Sequence, residues 1–277
     1  MTARPASTAP AVAALIDPLT DLVARAGAAI LAVDRARMTV AGKSDGSPVT
    51  SADLAADRIL AEGVARLLPG MPVVSEERPQ ALRQPYRDSF VLIDPLDGTR
   101  EFVAGRDEFT VNLAIVTQGM PVLGIVAAPA LGVIWRGMVG QGAGSGAERL
   151  RFGGDGKLIE RTAIRTRRSP AQGAPSVALV SRSHPDAATD ALIAKRPATI
   201  REAVGSAVKF GRIAEGTADI YPRLAPTHEW DVAAGCAVVQ AAGGRVVGID
   251  GMPLRFGERI EDFIVPGFIA YGDPAAG

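Results

Sequence analysis

Apolar positions along the chain follow two periods. Val12, Leu15, Ile16, Leu19, Leu22 and Val23 recur at helical spacing, which predicts an amphipathic helix that begins or kinks at Pro18. Thr50 or Ser51 can cap a second helix through about Leu68, with Asp53 in its first turn and Pro69-Gly70 as its stop. Val73-Val74 reads as a short strand ending at Ser75-Glu76-Glu77, and Phe90-Val91-Leu92-Ile93 as a buried strand ending at Asp94. Thr110 to Thr117 and Val122 to Ala128 read as a hairpin around Gln118-Gly119, and Leu131 to Val139 adds a strand. The second half alternates. Strands are predicted at Val177 to Val180, from Thr199-Ile200, at Ala218 to Tyr221, at Arg245 to Ile249 and at Phe268 to Tyr271. Helices are predicted at Pro185 to Lys195, at Ser206 to Glu215, and from an Asp231 N-cap through Ala242, where Gly243-Gly244 ends the last one. No segment repeats at a fixed period.

Loops punctuate this pattern. Lys43-Ser44-Asp45-Gly46-Ser47-Pro48 is turn-rich, and the glycines of Gly140 to Gly146 and Gly153 to Gly156 suit hairpin connections or a lobe boundary. The expected organisation is a loose tail over residues 1–10, an N-terminal α+β lobe over 11–155 and a C-terminal α/β lobe over 156–277.

Composition narrows the possibilities. The chain is 47% hydrophobic and 22% charged, and its 30 Lys and Arg balance 30 Asp and Glu, so no global field favours a nucleic acid polymer or an anionic membrane. Asp17, Pro18, Asp21 and Arg25 interrupt the apolar N-terminal segment, which argues against stable membrane insertion. Cys236 is the single cysteine, so an internal disulfide is impossible and a reducing cytoplasm fits; loose association with the inner membrane face is left open. With His184 and His228 the only histidines, a His/Cys zinc site has too few ligands. The Gly142 to Gly146 run lacks a following Lys-Ser/Thr, and no Gly-x-Ser-x-Gly elbow is present.

The chemistry concentrates at strand ends. Asp94-Pro95-Leu96-Asp97-Gly98-Thr99 puts two carboxylates three residues apart, followed by a turn able to open a helix. Asp-Pro and Asp-Gly are also common turn formers, but here they end an apolar strand, where paired carboxylates suit a hard cation such as Mg²⁺. The Gly-Thr turn offers backbone N–H groups to a phosphate. Glu76, after a second short strand, becomes a further candidate ligand. Asp231 can cap its helix and still point an oxygen at a metal. Lys43 would sit near a phosphate, and Asp53 behind a catalytic hydroxyl.

Together, Ser75-Glu76-Glu77, the Asp94 to Phe102 motif and Trp230-Asp231-Val232-Ala233-Ala234-Gly235 resemble the inositol monophosphatase-like family of Mg²⁺-dependent, lithium-sensitive phosphatases. The resemblance implies an α/β layered sandwich of alternating helix and sheet layers. Within the family, Ser181 to His184, Gly205 to Phe210 and Tyr221-Pro222-Arg223 resemble the bacterial 3'(2'),5'-bisphosphate nucleotidases, which take the 3'-phosphate from 3'-phosphoadenosine 5'-phosphate. Arg100 and Cys236 depart from that pattern. By resemblance, Glu76, Asp94 and the Leu96 carbonyl hold one Mg²⁺; Asp94, Asp97 and Asp231 hold a second, within a set of two or three ions. Thr99, oriented by Asp53, helps Glu76 place a water. Gly98 and Thr99 amides hold the phosphate, and Lys43, Ser206, Lys209 and Arg223 contact the rest of a small phosphorylated substrate. Inositol, sugar or histidinol phosphates, a non-enzymatic phosphate-binding role and the oligomeric state stay open.

Overall fold

The computed structural model describes residues 12–276 except positions 36, 39, 43–47, 79–87, 141–144, 172, 173, 197 and 260. The expected tail 1–10, Lys43 and part of the Gly140 to Gly146 run lie outside the described residues. In chain order the first half comprises α1 (Val12–Leu31), β1 (Val40–Gly42), β2 (Pro48–Thr50), α2 (Ser51–Leu67), β3 (Val73–Ser75), β4 (Ser89–Asp97), α3 (Thr99–Val103), β5 (Thr110–Thr117), β6 (Met120–Ala128) and β7 (Val133–Met138). Then come β8 (Gly146–Phe152), β9 (Leu158–Ile164), β10 (Ser176–Ser181), α4 (Ala187–Ala194), β11 (Thr199–Val204), α5 (Val208–Ala214), β12 (Ile220–Arg223), β13 (Thr227–His228), α6 (Glu229–Ala241), β14 (Arg245–Gly248), β15 (Ile264–Val265) and β16 (Phe268–Tyr271).

Two sheets carry the architecture. One runs β3-β4-β5-β6-β7-β8-β9, antiparallel throughout except for the parallel pair β3 and β4. The other runs β11-β10-β12-β16-β14. Strand alternation decides what each face packs against. Val91 and Ile93 of β4, with Val111, Leu113 and Ile115 of β5, join Leu19, Leu22 and Val23 of α1 and Leu60 and Val64 of α2. Phe90 and Leu92, with Ala114 and Val116, point the other way, to α5 and α6. The second sheet covers those helices with Tyr221, Val246 and Phe268, and its outer face meets Ile193 of α4 beside Ala178 and Ile220. The order is therefore helix pair, sheet, helix pair, sheet, helix, the alternating-layer arrangement expected of the α/β class. Among the described residues no helix is long and apolar enough to cross a membrane.

Three local readings differ. α1 runs unbroken through Pro18 to Leu31, so the helix does not begin there; Pro18 is its seventh residue, past the four N–H groups without intrahelical partners, and leaves the Ala14 carbonyl without its helical donor. Residue 155 falls in the turn between β8 and β9, which pair with each other, so the first sheet continues through Ile164. Asp231 is not the N-cap of α6: the helix begins at Glu229 with His228 as cap, and Asp231 reaches back to accept from the His228 N–H at 3.1 Å.

α6 is seated on the first sheet through glycine. A Cβ on Gly124 of β6 would lie 2.1 Å from the Ala234 carbonyl oxygen, and one on Gly137 of β7 would lie 2.8 Å from Ala241 Cβ. Gly124→Val should therefore push α6 off the sheet and cost about 1–3 kcal/mol or more, as overpacked cores do. The expected readout is a melting temperature lowered by several degrees in a thermal unfolding scan. An unshifted transition would mean that α6 is free to slide.

Candidate active site

The parallel pairing of β3 with β4 explains the first convergence. Ser75 pairs with Ile93 and the Glu76 N–H donates to the Ile93 carbonyl at 3.2 Å, so both strands end together and present Glu76 and Asp94 side by side. β4 then bulges between Asp94 and Asp97. Gly98 turns the chain at φ +89, a left-handed conformation that favours glycine, and α3 starts at Thr99. Ser206 from the β11–α5 connection, Lys209 from α5, Arg223 from β12 and Asp231 from α6 approach this strand end, closing a cleft of ≈ 350 Å³.

Oxygen atoms of Asp94, Asp97 and Asp231 lie within 4.8 Å of one another. Each carboxylate is held by one oxygen. Asp94 Oδ1 accepts from the Leu96 N–H at 3.0 Å, while its buried Oδ2 has no hydrogen-bond partner. Asp97 Oδ2 accepts from Ser206 Oγ at 2.6 Å and the Ala207 N–H at 2.7 Å, and more weakly from Asn112 Nδ2 at 3.5 Å, while Thr110 Oγ1 lies 3.3 Å away with its proton free for Ser206. Asp231 Oδ2 accepts from Thr227 Oγ1 and the His228 N–H. Burial, together with repulsion from Glu76, Asp97 and Asp231, raises Asp94 well above the usual carboxylate range. Burial and Asp231 raise Asp97 too, against the Ser206 hydrogen bond and Lys209. Crowded, hard oxygen donors with an orphaned buried oxygen match the requirements of a divalent cation.

A hydrogen-bond chain runs behind this cluster. Thr99 Oγ1 lies 3.1 Å from both Asp53 Oδ1 and the Leu96 carbonyl. Asp53 is the third residue of α2, and its Oδ2 accepts from the Thr50 N–H at 2.8 Å and Thr50 Oγ1 at 2.6 Å, a capping box. Burial raises the Asp53 carboxyl despite those hydrogen bonds. The helix cap thus fixes the carboxylate that Thr99 faces.

The opposite wall is cationic. Arg100 Nη1 lies 3.2 Å from His184 Nε2. Lys209 is buried, and burial lowers it to about 8. Its ammonium donates to the carbonyls of Val204 at 3.0 Å and Ser206 at 2.6 Å. Arg223 donates to the Pro226 carbonyl at 3.3 Å through Nη2, and its buried Nε has no partner. Of the positions expected to meet substrate, Gly98, Thr99, Lys209 and Arg223 line the cleft. Ser206 lines it too, but its hydroxyl is turned onto Asp97.

Two residues that brace the carboxylates, Thr110 and Thr227, escape a motif reading. Thr110 bonds to Ser206 at 2.5 Å, and Thr227 braces Asp231. Arg182, Ser183 and His184 reach across to Glu108, Glu101 and Arg100 in turn. Thr110 and Asn112 did carry a signal: two polar residues at strand period in an otherwise apolar β5 mark one face as serving something other than the core.

A model of the inositol monophosphatase family matches residues 12–266. The chain is 39% identical over 258 residues to a 3'(2'),5'-bisphosphate nucleotidase CysQ of Escherichia coli, covering 92% of this chain and 98% of that protein. It is 31% identical over 258 residues to the protein of the same name from Aggregatibacter actinomycetemcomitans, covering 92% and 91%. Among solved structures, CysQ from Bacteroides thetaiotaomicron, a bacterial member of the inositol monophosphatase family, superposes with a TM-score of 0.72 at 30% identity, covering 94% of this chain and 97% of the other. A Thermotoga maritima IMPase superposes at 0.70 and 25% identity, covering 94% and 93%.

Proposed function

The chain belongs to the inositol monophosphatase family, and from that premise we propose that it is a Mg²⁺-dependent phosphomonoesterase that removes the 3'-phosphate of 3'-phosphoadenosine 5'-phosphate, releasing AMP and phosphate. The observation that carries this reading is the pairing, across one cleft, of the Asp94–Asp97–Asp231 cluster with the guanidinium groups of Arg100 and Arg223. A bisphosphate substrate needs both: one phosphate reacts at the acidic end, and the other must be held by cations away from it.

Glu76, Asp94, Asp97, Asp231 and the Leu96 carbonyl are the groups that would hold Mg²⁺. When bound, the metal supplies positive charge that eases ionisation of a water and stabilises the departing oxygen. The chain's own groups do the rest. Thr99, donating its proton to Asp53 Oδ1, keeps its lone pairs free to accept from the attacking water. Glu76, beside Asp94, is placed to take the second proton. The Gly98 and Thr99 N–H groups face the phosphate. Ser206 acts on Asp97 rather than on substrate, because its hydroxyl already donates to Oδ2 at 2.6 Å.

The direct test is phosphate release in the presence of Mg²⁺ from a panel of 3'-phosphoadenosine 5'-phosphate, inositol 1-phosphate and histidinol phosphate. The first should be turned over with the highest kcat/KM. A preference for either monophosphate would move the assignment to another branch of the family, and silence on all three would support a non-enzymatic binding role.

Arg223 is the cation proposed for the non-reacting phosphate, since a guanidinium can grip phosphate through two N–H groups. Arg223→Glu should lower the ratio of kcat/KM for 3'-phosphoadenosine 5'-phosphate over inositol 1-phosphate by at least roughly tenfold, the worth of one charged hydrogen bond. A ratio that stays put would leave Arg223 as a structural brace for the Pro226 carbonyl.

A further inference from the structure

Glu101 is a cleft-lining carboxylate that the metal cluster does not use. It is 3% exposed, sits two residues past Thr99 in α3, and forms no ion pair among the described residues. Its one hydrogen bond comes from Ser183 Oγ to Oε1. A carboxylate only accepts, and its two oxygens offer about four lone-pair sites. Oε2 accepts from none of the described protein donors, and the side chain lines the cleft, so that oxygen is available to a ligand. Oε2 is aimed at the phosphate turn: a Cβ on Gly98 would lie 3.4 Å from it.

The surroundings make that placement more pointed. Arg100, Lys209 and Arg223 line the same cleft and suit anions. A carboxylate among them repels phosphate, so it must face a part of the ligand that donates a hydrogen bond and carries no negative charge. Its position one helical turn from Gly98 puts it beside the reacting phosphate rather than beside the remote one. On a ribose 3'-phosphate the neutral donor nearest the reacting group is the adjacent 2'-hydroxyl.

We propose that Glu101 accepts a hydrogen bond from the hydroxyl vicinal to the scissile phosphate, so that the site distinguishes ribose from 2'-deoxyribose. This rests on the nucleotidase reading above. Ser183 is the positioning residue: by occupying Oε1 it turns Oε2 towards the ligand. A hydrogen bond to a charged acceptor sets the expected size, a preference of at least about tenfold in kcat/KM for the hydroxyl-bearing substrate.

The experiment compares 3'-phosphoadenosine 5'-phosphate with 2'-deoxyadenosine 3',5'-bisphosphate on the unaltered protein, on Glu101→Gln and on Glu101→Leu. The unaltered protein should favour the ribose substrate at least about tenfold. Glu101→Gln, which keeps a neutral acceptor and the side chain's shape, should reduce the preference, and Glu101→Leu should bring it close to one. Equal kcat/KM for the two substrates on the unaltered protein would overturn the inference while leaving the nucleotidase reading intact. Loss of activity on both substrates in the same proportion in the two variants would also overturn it, and would assign Glu101 to bracing the Ser183 loop. Phosphate release from neither substrate by the unaltered protein would overturn the nucleotidase reading and this inference with it. Should Glu101→Leu fail to fold, the substrate pair on the unaltered protein and Glu101→Gln still decide.

Discussion

Asp97→Asn is expected to remove nearly all phosphate release, and stripping divalent ions with a chelator should do the same to the unaltered protein. Asp97 Oδ2 is engaged by the Ser206 hydroxyl, the Ala207 N–H and the Asn112 amide, so Oδ1 is the oxygen left to complete the cluster with Asp94 and Asp231. An asparagine can satisfy those three donors only with its own oxygen. It must then turn its NH₂ group into the cluster, where it offers a donor in place of an anionic ligand. Losing that ligand should raise the barrier by roughly 4 kcal/mol, about 10³-fold in rate. The same change relieves repulsion, because Asp231 is the charge that raises Asp97 alongside burial. Without Mg²⁺, Asp97→Asn should therefore melt no lower than the unaltered protein, which separates lost chemistry from lost folding. Turnover that survives exhaustive chelation would sink the metal assignment.

How much of this was legible beforehand depended on where the driving force lay. Strands that bury both faces announce themselves as unbroken apolar runs, as Phe90 to Ile93 and Val111 to Val116 do, and their order was readable. β8 and β9 showed only as a candidate hairpin connection at Gly153 to Gly156, because charged residues interrupt their few buried apolar positions, Ala147, Leu150 and Ile164. Arg149 pairs with Glu160 at 3.1 Å, and Glu148 receives Arg136 at 2.8 Å and Arg161 at 3.0 Å. Such alternating charges carry no apolar period of their own. β13 and β15 are two residues each, too short for any period to register.

The candidate site divides along a similar line. Asp94, Asp97 and Thr99 share one short segment, so local sequence sufficed to single them out. Lys209 illustrates the limit. Resemblance offered it as a substrate contact; the two backbone carbonyls that hold its ammonium leave no trace in sequence. Ser206 is similar: Thr110 and Asp97, which occupy its hydroxyl, lie about a hundred positions away along the chain. Asp231 was legible as a capping residue but misplaced by three positions, because His228, seldom a cap, takes the N-cap place once Thr227 and His228 pair with β15.

Thr99→Ala is expected to cut kcat by about 10²–10³-fold while leaving KM within about threefold, because the hydroxyl acts on the attacking water and not on the bound phosphate. The hydroxyl carries a single proton and faces two acceptors, Asp53 Oδ1 and the Leu96 carbonyl, both at 3.1 Å. Donation to Asp53 leaves lone pairs directed at the cleft. Asp53→Asn disturbs this from behind. With its Oδ1 kept for the Thr50 donors, the amide presents an NH₂ group to Thr99, which must then accept from it and turn its own proton onto Leu96. A lone pair that served the water is consumed, so kcat should fall in the same direction, by about tenfold or more. Because both changes act through one chain, the double variant should lose little beyond Thr99→Ala alone, a non-additivity that independent structural damage would not give. The measurement is kcat and KM for 3'-phosphoadenosine 5'-phosphate across the cycle at saturating Mg²⁺. If either single change raised KM and left kcat alone, Thr99 would be a phosphate ligand and the role given to Asp53 would be wrong.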